Sequence, residues 1–116
     1  MAKAERAVAV EKKLVHFTGD APKPKMTFNG TLGLRSPFQL NIGPQEERMI
    51  DLGVQCDRFL SLLPHRTLFP SREVVCVPGK NIQILVKNWS DAPLLLEVGD
   101  VVLEAVVLEA SDFTVA

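Results

Sequence analysis

The sequence predicts an all-β domain of the barrel or jelly-roll sandwich type. Short apolar runs alternate with dense turn signals along nearly the whole chain. Valine and leucine dominate those runs, as suits pleated, half-buried surfaces. The runs recur at roughly 8–12-residue spacing, the pattern of sandwiches and barrels. At 116 residues and 12.8 kDa, the chain has the size of one domain with a single core.

Taken in order, the first dozen residues are the ambiguous ones. Ala4 to Lys13 favours a helical turn or two by propensity, whereas the alternation of Val8 and Val10 argues equally for a strand. Residues 1–12 are therefore read as an N-terminal arm, pairing with a neighbouring subunit or fraying. The β domain then spans 13–109, and 110–116 form a short C-terminal tail. Within the domain the runs are Leu14–Phe17, Phe38–Ile42, Arg48–Cys56, Phe59–Leu63, Glu73–Val77, Ile82–Lys87, Leu94–Val98 and Val101–Leu108. Gly19-Asp20, Pro22, Pro24, Asn29-Gly30, Gly43-Pro44, Pro64, Pro70 and Pro78-Gly79 punctuate them. The polar turn Asn88 to Ala92 and the tight turn Gly99-Asp100 predict a three-stranded meander at the C-terminal end. Leu94-Leu95-Leu96 is apolar without a break, so a second sheet or another subunit is expected to cover its outer side. On that ground Leu94, Leu96, Val102 and Val106 are interface candidates.

Composition excludes several functional classes. Hydrophobic residues make up 47% and charged residues 23%, which is globular rather than disordered. A net charge of −1 provides no basic stripe, so no nucleic-acid partner is expected. Lys12-Lys13 and Lys23-Pro24-Lys25 read as solvated charges. No apolar run approaches the ~20 residues of a membrane span, so no membrane partner is expected. Met1-Ala2-Lys3-Ala4-Glu5 does not read as a secretory signal, which implies an intracellular or virion-associated protein. Cys56 and Cys76 then read as reduced core thiols. His16 and His65 are solitary, and no spacing fits a zinc site. Spacing alone leaves a Cys–His pair open, with nothing in the pattern pointing to it.

The order of short motifs adds a family resemblance over residues 13–109. Lys13-Leu14-Val15-His16-Phe17 through Asp20-Ala21-Pro22-Lys23-Pro24 is similar to the first strand and connection of the trimeric dUTPases, β-fold pyrophosphatases that hydrolyse dUTP. Gly30-Thr31-Leu32-Gly33 resembles the approach to their first motif. Leu40-Asn41-Ile42-Gly43-Pro44 with Met49-Ile50-Asp51-Leu52-Gly53-Val54 resembles "I.P......I.TGI". Pro64-His65-Arg66-Thr67-Leu68 stands where that family has "PRSSL". Ile82 to Asn88, Pro93 and Gly99 to Val107 are similar to "I.V.L.N....P..I..GDRIAQLVV". The resemblance implies a dUTPase-like fold and a homotrimer.

The chemistry departs from that pattern. Pyrophosphate hydrolysis needs a carboxylate to orient water, cations around the phosphates and a base-reading pocket. In the dUTPases the carboxylate lies in a "GVIDxDYxG" segment, whose tyrosine stacks under the sugar. Here the shorter Val75-Cys76-Val77-Pro78-Gly79-Lys80-Asn81-Ile82 contains no aspartate, and the chain has no tyrosine. His65 and Arg66 align with the arginine and serine of "PRSSL", Val101 with the arginine of "GDRIAQL", and Glu104 with its glutamine. The first motif is contracted to Gly33-Leu34-Arg35-Ser36, and the glycine-rich closing segment has no counterpart.

The resulting expectation is a non-catalytic structural or protein-interaction module of viral or mobile-element origin, with no catalytic residues and no cofactor. Its expected partners are other copies of itself and an unidentified protein or capsid component. The alternative is a diverged nucleotide pyrophosphatase or nucleotide-binding regulator using Asp51, Asp57 or Glu104, with magnesium. An unrelated coat or decoration sandwich is a third reading. His65, Arg66, Thr67, Asp100 and Glu104 are the degenerate nucleotide-binding positions. Arg66 with nearby amides can bind an anion, or the loop is merely stiffened by Pro64 and Pro70. Asp100 is expected to cap the Gly99 turn rather than hold a metal. Trp89, the only tryptophan, is either a contact anchor or folded over the core edge. Thr114-Val115-Ala116 is either a ligand for a PDZ-type groove or an unremarkable tail.

Overall fold

A computed structural model describes residues 5–10, 13–72 and 75–108. The chain runs through β1 (Glu5–Val10), β2 (Lys13–Gly19), β3 (Lys25–Met26), β4 (Leu32–Arg35), β5 (Leu40–Ile42) and β6 (Glu47–Cys56). It continues through β7 (Leu60–Leu63), β8 (Leu68–Pro70), β9 (Val75–Cys76), β10 (Asn81–Asn88), β11 (Leu94–Leu96) and β12 (Val101–Val107). One five-stranded sheet has the order β1-β2-β6-β10-β8, and a second has β3-β4-β12-β7-β9. A two-stranded pair, β11-β5, completes the fold. Every pairing is antiparallel, as the all-β reading requires. Among the described residues no helix is long and apolar enough to cross a membrane.

The core lies between the two large sheets, and period-two patterning builds it. Ile50, Leu52, Val54 and Cys56 point inward from β6, and Ile82, Ile84 and Val86 from β10. Leu32 and Leu34 of β4 and Leu60 and Leu62 of β7 meet them from the second sheet. In β12 the alternation slips once. A register shift between Val101 and Leu103 buries the consecutive Val102 and Leu103, after which Ala105 and Val107 resume the inward series. Cys56 and Cys76 are buried, and neither is in a disulfide.

Residues 5–10 form an edge strand on β2, the strand alternative that Val8 and Val10 leave open. Three expectations are corrected. The C-terminal meander does not exist: β10, β11 and β12 lie in three different sheets. Turn residues mark where a strand ends, but an arch between sheets uses the same residues as a hairpin. β4 and β8 are strands that the apolar runs did not mark, because Gly33 interrupts one and Pro70 ends the other. β8 tolerates proline because it is the outer edge of its sheet. Finally, Leu96 and Val102 have no exposed surface, so they pack the chain's own core and cannot meet a partner. Leu94 and Val106 are half-buried, and on β11 it is Leu95 that faces outward, 56% exposed. The tail 110–116, with Thr114-Val115-Ala116, lies outside the described residues, as do 11–12 and 73–74 of the predicted elements.

Candidate functional site

Glu104 projects from β12 between β4 and β7, opposite Gly33 on one side and Leu63 on the other. Just beyond Leu63, Pro64 begins a tight turn in which His65 and Leu68 bond each other's backbones, N–H to C=O, at 3.0 Å. Arg66 takes a φ of 54° to make that turn. The turn carries the imidazole back over β12, and His65 Nδ1 lies 2.8 Å from Glu104 Oε2. From the other side Thr31 Oγ1 donates to Glu104 Oε1 at 2.5 Å, and Thr31 is itself paired with Thr27 Oγ1 at 2.7 Å. The result is a continuous polar chain, Thr27–Thr31–Glu104–His65, running from the loop between β3 and β4 over β12 to the turn after β7.

These contacts hold Glu104 below the ordinary carboxylate value of 4.5; the Thr31 hydroxyl is the largest cause and the His65 contact the next. A depressed native value means that ionised Glu104 stabilises the fold above about pH 4.5, and that this contribution fades as pH falls through the native value. Glu104→Gln is therefore expected to lower stability at neutral pH and to narrow its difference from the parent below pH 4.5. Denaturant titrations at several pH values check this; a gap that stays constant with pH would sink it.

Of the other sequence candidates, Asp100 behaves as expected. Its Oδ2 accepts from the Glu97 N–H at 2.8 Å, capping the turn in which Gly99 has a φ of 87°. A cavity of about 180 Å³ opens beside it, lined by Lys25, His65, Arg66, Gly99, Asp100 and Val101. Thr67 does not enter this site. Its hydroxyl donates to Asn88 Oδ1 at 2.8 Å. Asn88 is fully buried and its amide donates to the carbonyls of Ile42, Gly43 and Ala92 at 3.0–3.2 Å. Trp89 does not fold over the core edge. It is 55% exposed, with Lys87 Nζ 4.0 Å from the ring centroid.

Thr27, Thr31 and Asn88 were missed as site residues. The available signal was the Asn29-Gly30 turn, which brings threonines on either side of it together.

The carboxylates proposed for a relocated catalytic centre do not converge. Asp51 accepts from Gly53 N–H and from Gln83, which together hold its acidity up on the first sheet. Asp57 Oδ1 accepts from the His16 N–H at 2.9 Å, and Glu104 is on the second sheet. Among the described residues no group of three or more His, Cys, Asp or Glu could hold a metal ion. His16 and Cys56 do line a common cavity of about 390 Å³. Burial pushes the Cys56 thiol up to about 11, so it stays protonated at neutral pH and is a poor nucleophile.

No family model and no curated protein matches the sequence. Solved structures do match it. The EIAV dUTPase superposes with a TM-score of 0.69 at 15% identity, over 88% of this chain and 93% of that one. The dUTPase of Staphylococcus bacteriophage 80alpha gives 0.63 at 15% identity, over 97% and 93%. The same phage enzyme with dUPNHPP gives 0.63 at 14%, over 97% and 85%. The phage enzymes are described as controlling transfer of virulence genes by a proto-oncogenic G protein-like mechanism. Identities this low speak to architecture, and on architecture the agreement spans nearly the whole chain: it has the dUTPase-like fold.

Proposed function

We propose that this chain is a dUTPase-fold module that does not hydrolyse dUTP, and that it works as a homotrimeric structural or protein-interaction unit. The carrying observation is Glu104. The resemblance assigns this position to a phosphate-contacting glutamine, and here it is an ionised carboxylate clamped by Thr31 and His65. A unit charge repels a like charge about 4 Å away by about 4 kcal/mol at an effective dielectric near 20. A triphosphate is disfavoured there before any chemistry begins. The missing aspartate–tyrosine segment removes the water-orienting group as well.

A nucleotide-responsive regulator is the second reading. Lys25 and Arg66 line the small cavity beside Asp100 and make no ion pair among the described residues. The phage dUTPases, with their G protein-like control of gene transfer, offer a precedent for nucleotide-linked regulation on this fold.

Pyrophosphate release from dUTP, with and without magnesium, tests both readings when paired with calorimetry on the same samples. The expected result is no release and no binding heat, with a dilute-solution mass of three times 12.8 kDa. Release above the protein-free rate overturns the proposal, and binding without release selects the regulator.

A further inference from the structure

The outer face of the first sheet carries apolar side chains among charged and polar ones where β6, β10 and β8 lie side by side. Met49 is 60% exposed, Phe69 41%, and Leu85 lies half-buried between them, with Trp89 beyond the end of β10. Exposed apolar side chains grouped on neighbouring strands in this way mark an interaction site. The free edge of β8 is closed to strand addition. Leu68 spends its backbone N–H and C=O on His65, and Pro70 has no N–H. A partner must therefore sit on the face.

The register across β6 and β10 identifies that partner. Lys87 lies opposite Glu47, Leu85 opposite Met49 and Gln83 opposite Asp51. A two-fold axis parallel to these strands and midway between them exchanges the members of each row. Laid face to face in that way, Glu47 meets Lys87 of a second copy, Met49 meets Leu85 and Asp51 meets Gln83. Acid faces base, apolar faces apolar, and carboxylate faces amide, so the patch is complementary to itself. β2 pairs with β6 only at Val54, Gln55 and Cys56, which leaves the rows from Glu47 to Asp51 uncovered on that side.

We infer that this face is a two-fold contact between copies of the chain, doubling whatever assembly unit the protein forms. Each residue in an isologous contact acts twice, so each substitution is also felt twice. Glu47→Lys and Lys87→Glu each turn two attractive pairs into two repulsive ones, and the double exchange restores them with the pairs reversed. Glu47 makes no side-chain hydrogen bond or ion pair among the described residues, so its exchange breaks none; within one chain it sets a second lysine opposite Lys87, a cross-strand repulsion that the melts measure.

Sedimentation equilibrium over a range of concentrations tests this, with circular dichroism melts confirming that each variant is folded. The unsubstituted chain is expected to double in mass with concentration. Each single exchange is expected to weaken that step about tenfold, Met49→Asp to abolish it, and Glu47→Lys with Lys87→Glu to recover it. Absence of doubling overturns the inference, as does a doubling indifferent to the single exchanges or failure of the double exchange to restore it. A trimer that never doubles leaves the proposed function standing; a doubling unit that is not a trimer removes the homotrimer and keeps the face.

Discussion

Replacing Asn88 with alanine lowers stability by about 3 kcal/mol, and the loss comes from groups left behind rather than from the side chain itself. The amide donates to the carbonyls of Ile42, Gly43 and Ala92, while its oxygen accepts from Thr67 Oγ1 and the Ser90 N–H. Each buried polar group stranded without a partner costs about 1–3 kcal/mol, and water reaches only some of these. The Thr67 hydroxyl can turn elsewhere; the Ile42 carbonyl, inside the core, cannot be replaced so easily. Asn88→Asp separates shape from hydrogen bonding. It has the same size but points an anion at three carbonyls, so at neutral pH it is expected to do at least as much harm as alanine. Acidification should recover part of the loss, because the protonated acid regains one donor. Urea unfolding measures both variants, and a loss under about 1 kcal/mol for alanine would show that the network is not a structural joint. The consequence reaches the surface. Asn88 ties the end of β10 to β5 and to the turn carrying Trp89, whose N–H donates to Thr67 O at 2.9 Å.

Gly19→Ala is the second large effect. Gly19 pairs with Val54 where β2 meets β6, and its φ of 149° belongs to the glycine region. A Cβ there would lie 2.3 Å from the Gly53 carbonyl oxygen and 3.0 Å from the Val54 Cα. Both obstacles are backbone, so relief requires the strands to separate. The Lys23 ammonium also bonds the Gly19 carbonyl, which holds the corner on its other side. The expected loss is about 2–4 kcal/mol, combining strain with disrupted pairing. Gly79→Ala is the internal control. Gly79 has a comparable constraint, φ 81°, but nothing lies within 4 Å of its Cβ position. It should lose only the backbone cost, about 1 kcal/mol. Equal losses at the two positions would mean that strand contact at Gly19 contributes nothing.

Strand positions were readable wherever one face is buried, because alternation is then imposed residue by residue. β6 is the clearest case, with Ile50, Leu52, Val54 and Cys56 inward and Glu47, Met49 and Asp51 outward. Where a strand is short or interrupted the pattern fails. β4 carries Gly33 between its two core leucines, and β8 ends in Pro70. Gly33 is there because a Cβ would meet Val101 Cγ2 at 2.8 Å, a constraint set by a strand far away in sequence. In the site, the turn-capping role of Asp100 was legible because it is local. The clamp on Glu104 was not, since Thr31, His65 and Glu104 are separated by long stretches of chain and meet only when β4, β12 and β7 align.

The sequence by itself determined the all-β class, most strand positions and the family resemblance. Each of these is a property of neighbouring residues or of motif order. Only the tertiary structure decided which strands are neighbours. It sent β10, β11 and β12 to different sheets, placed Leu96 and Val102 in the core while leaving Met49, Phe69 and Trp89 outside, and gave Glu104 its partners. The physical reason is common to all three. A turn residue lowers the cost of reversing the chain, but which edge the next strand reaches depends on the apolar area and backbone hydrogen bonds gained there. Those gains belong to pairs of distant segments.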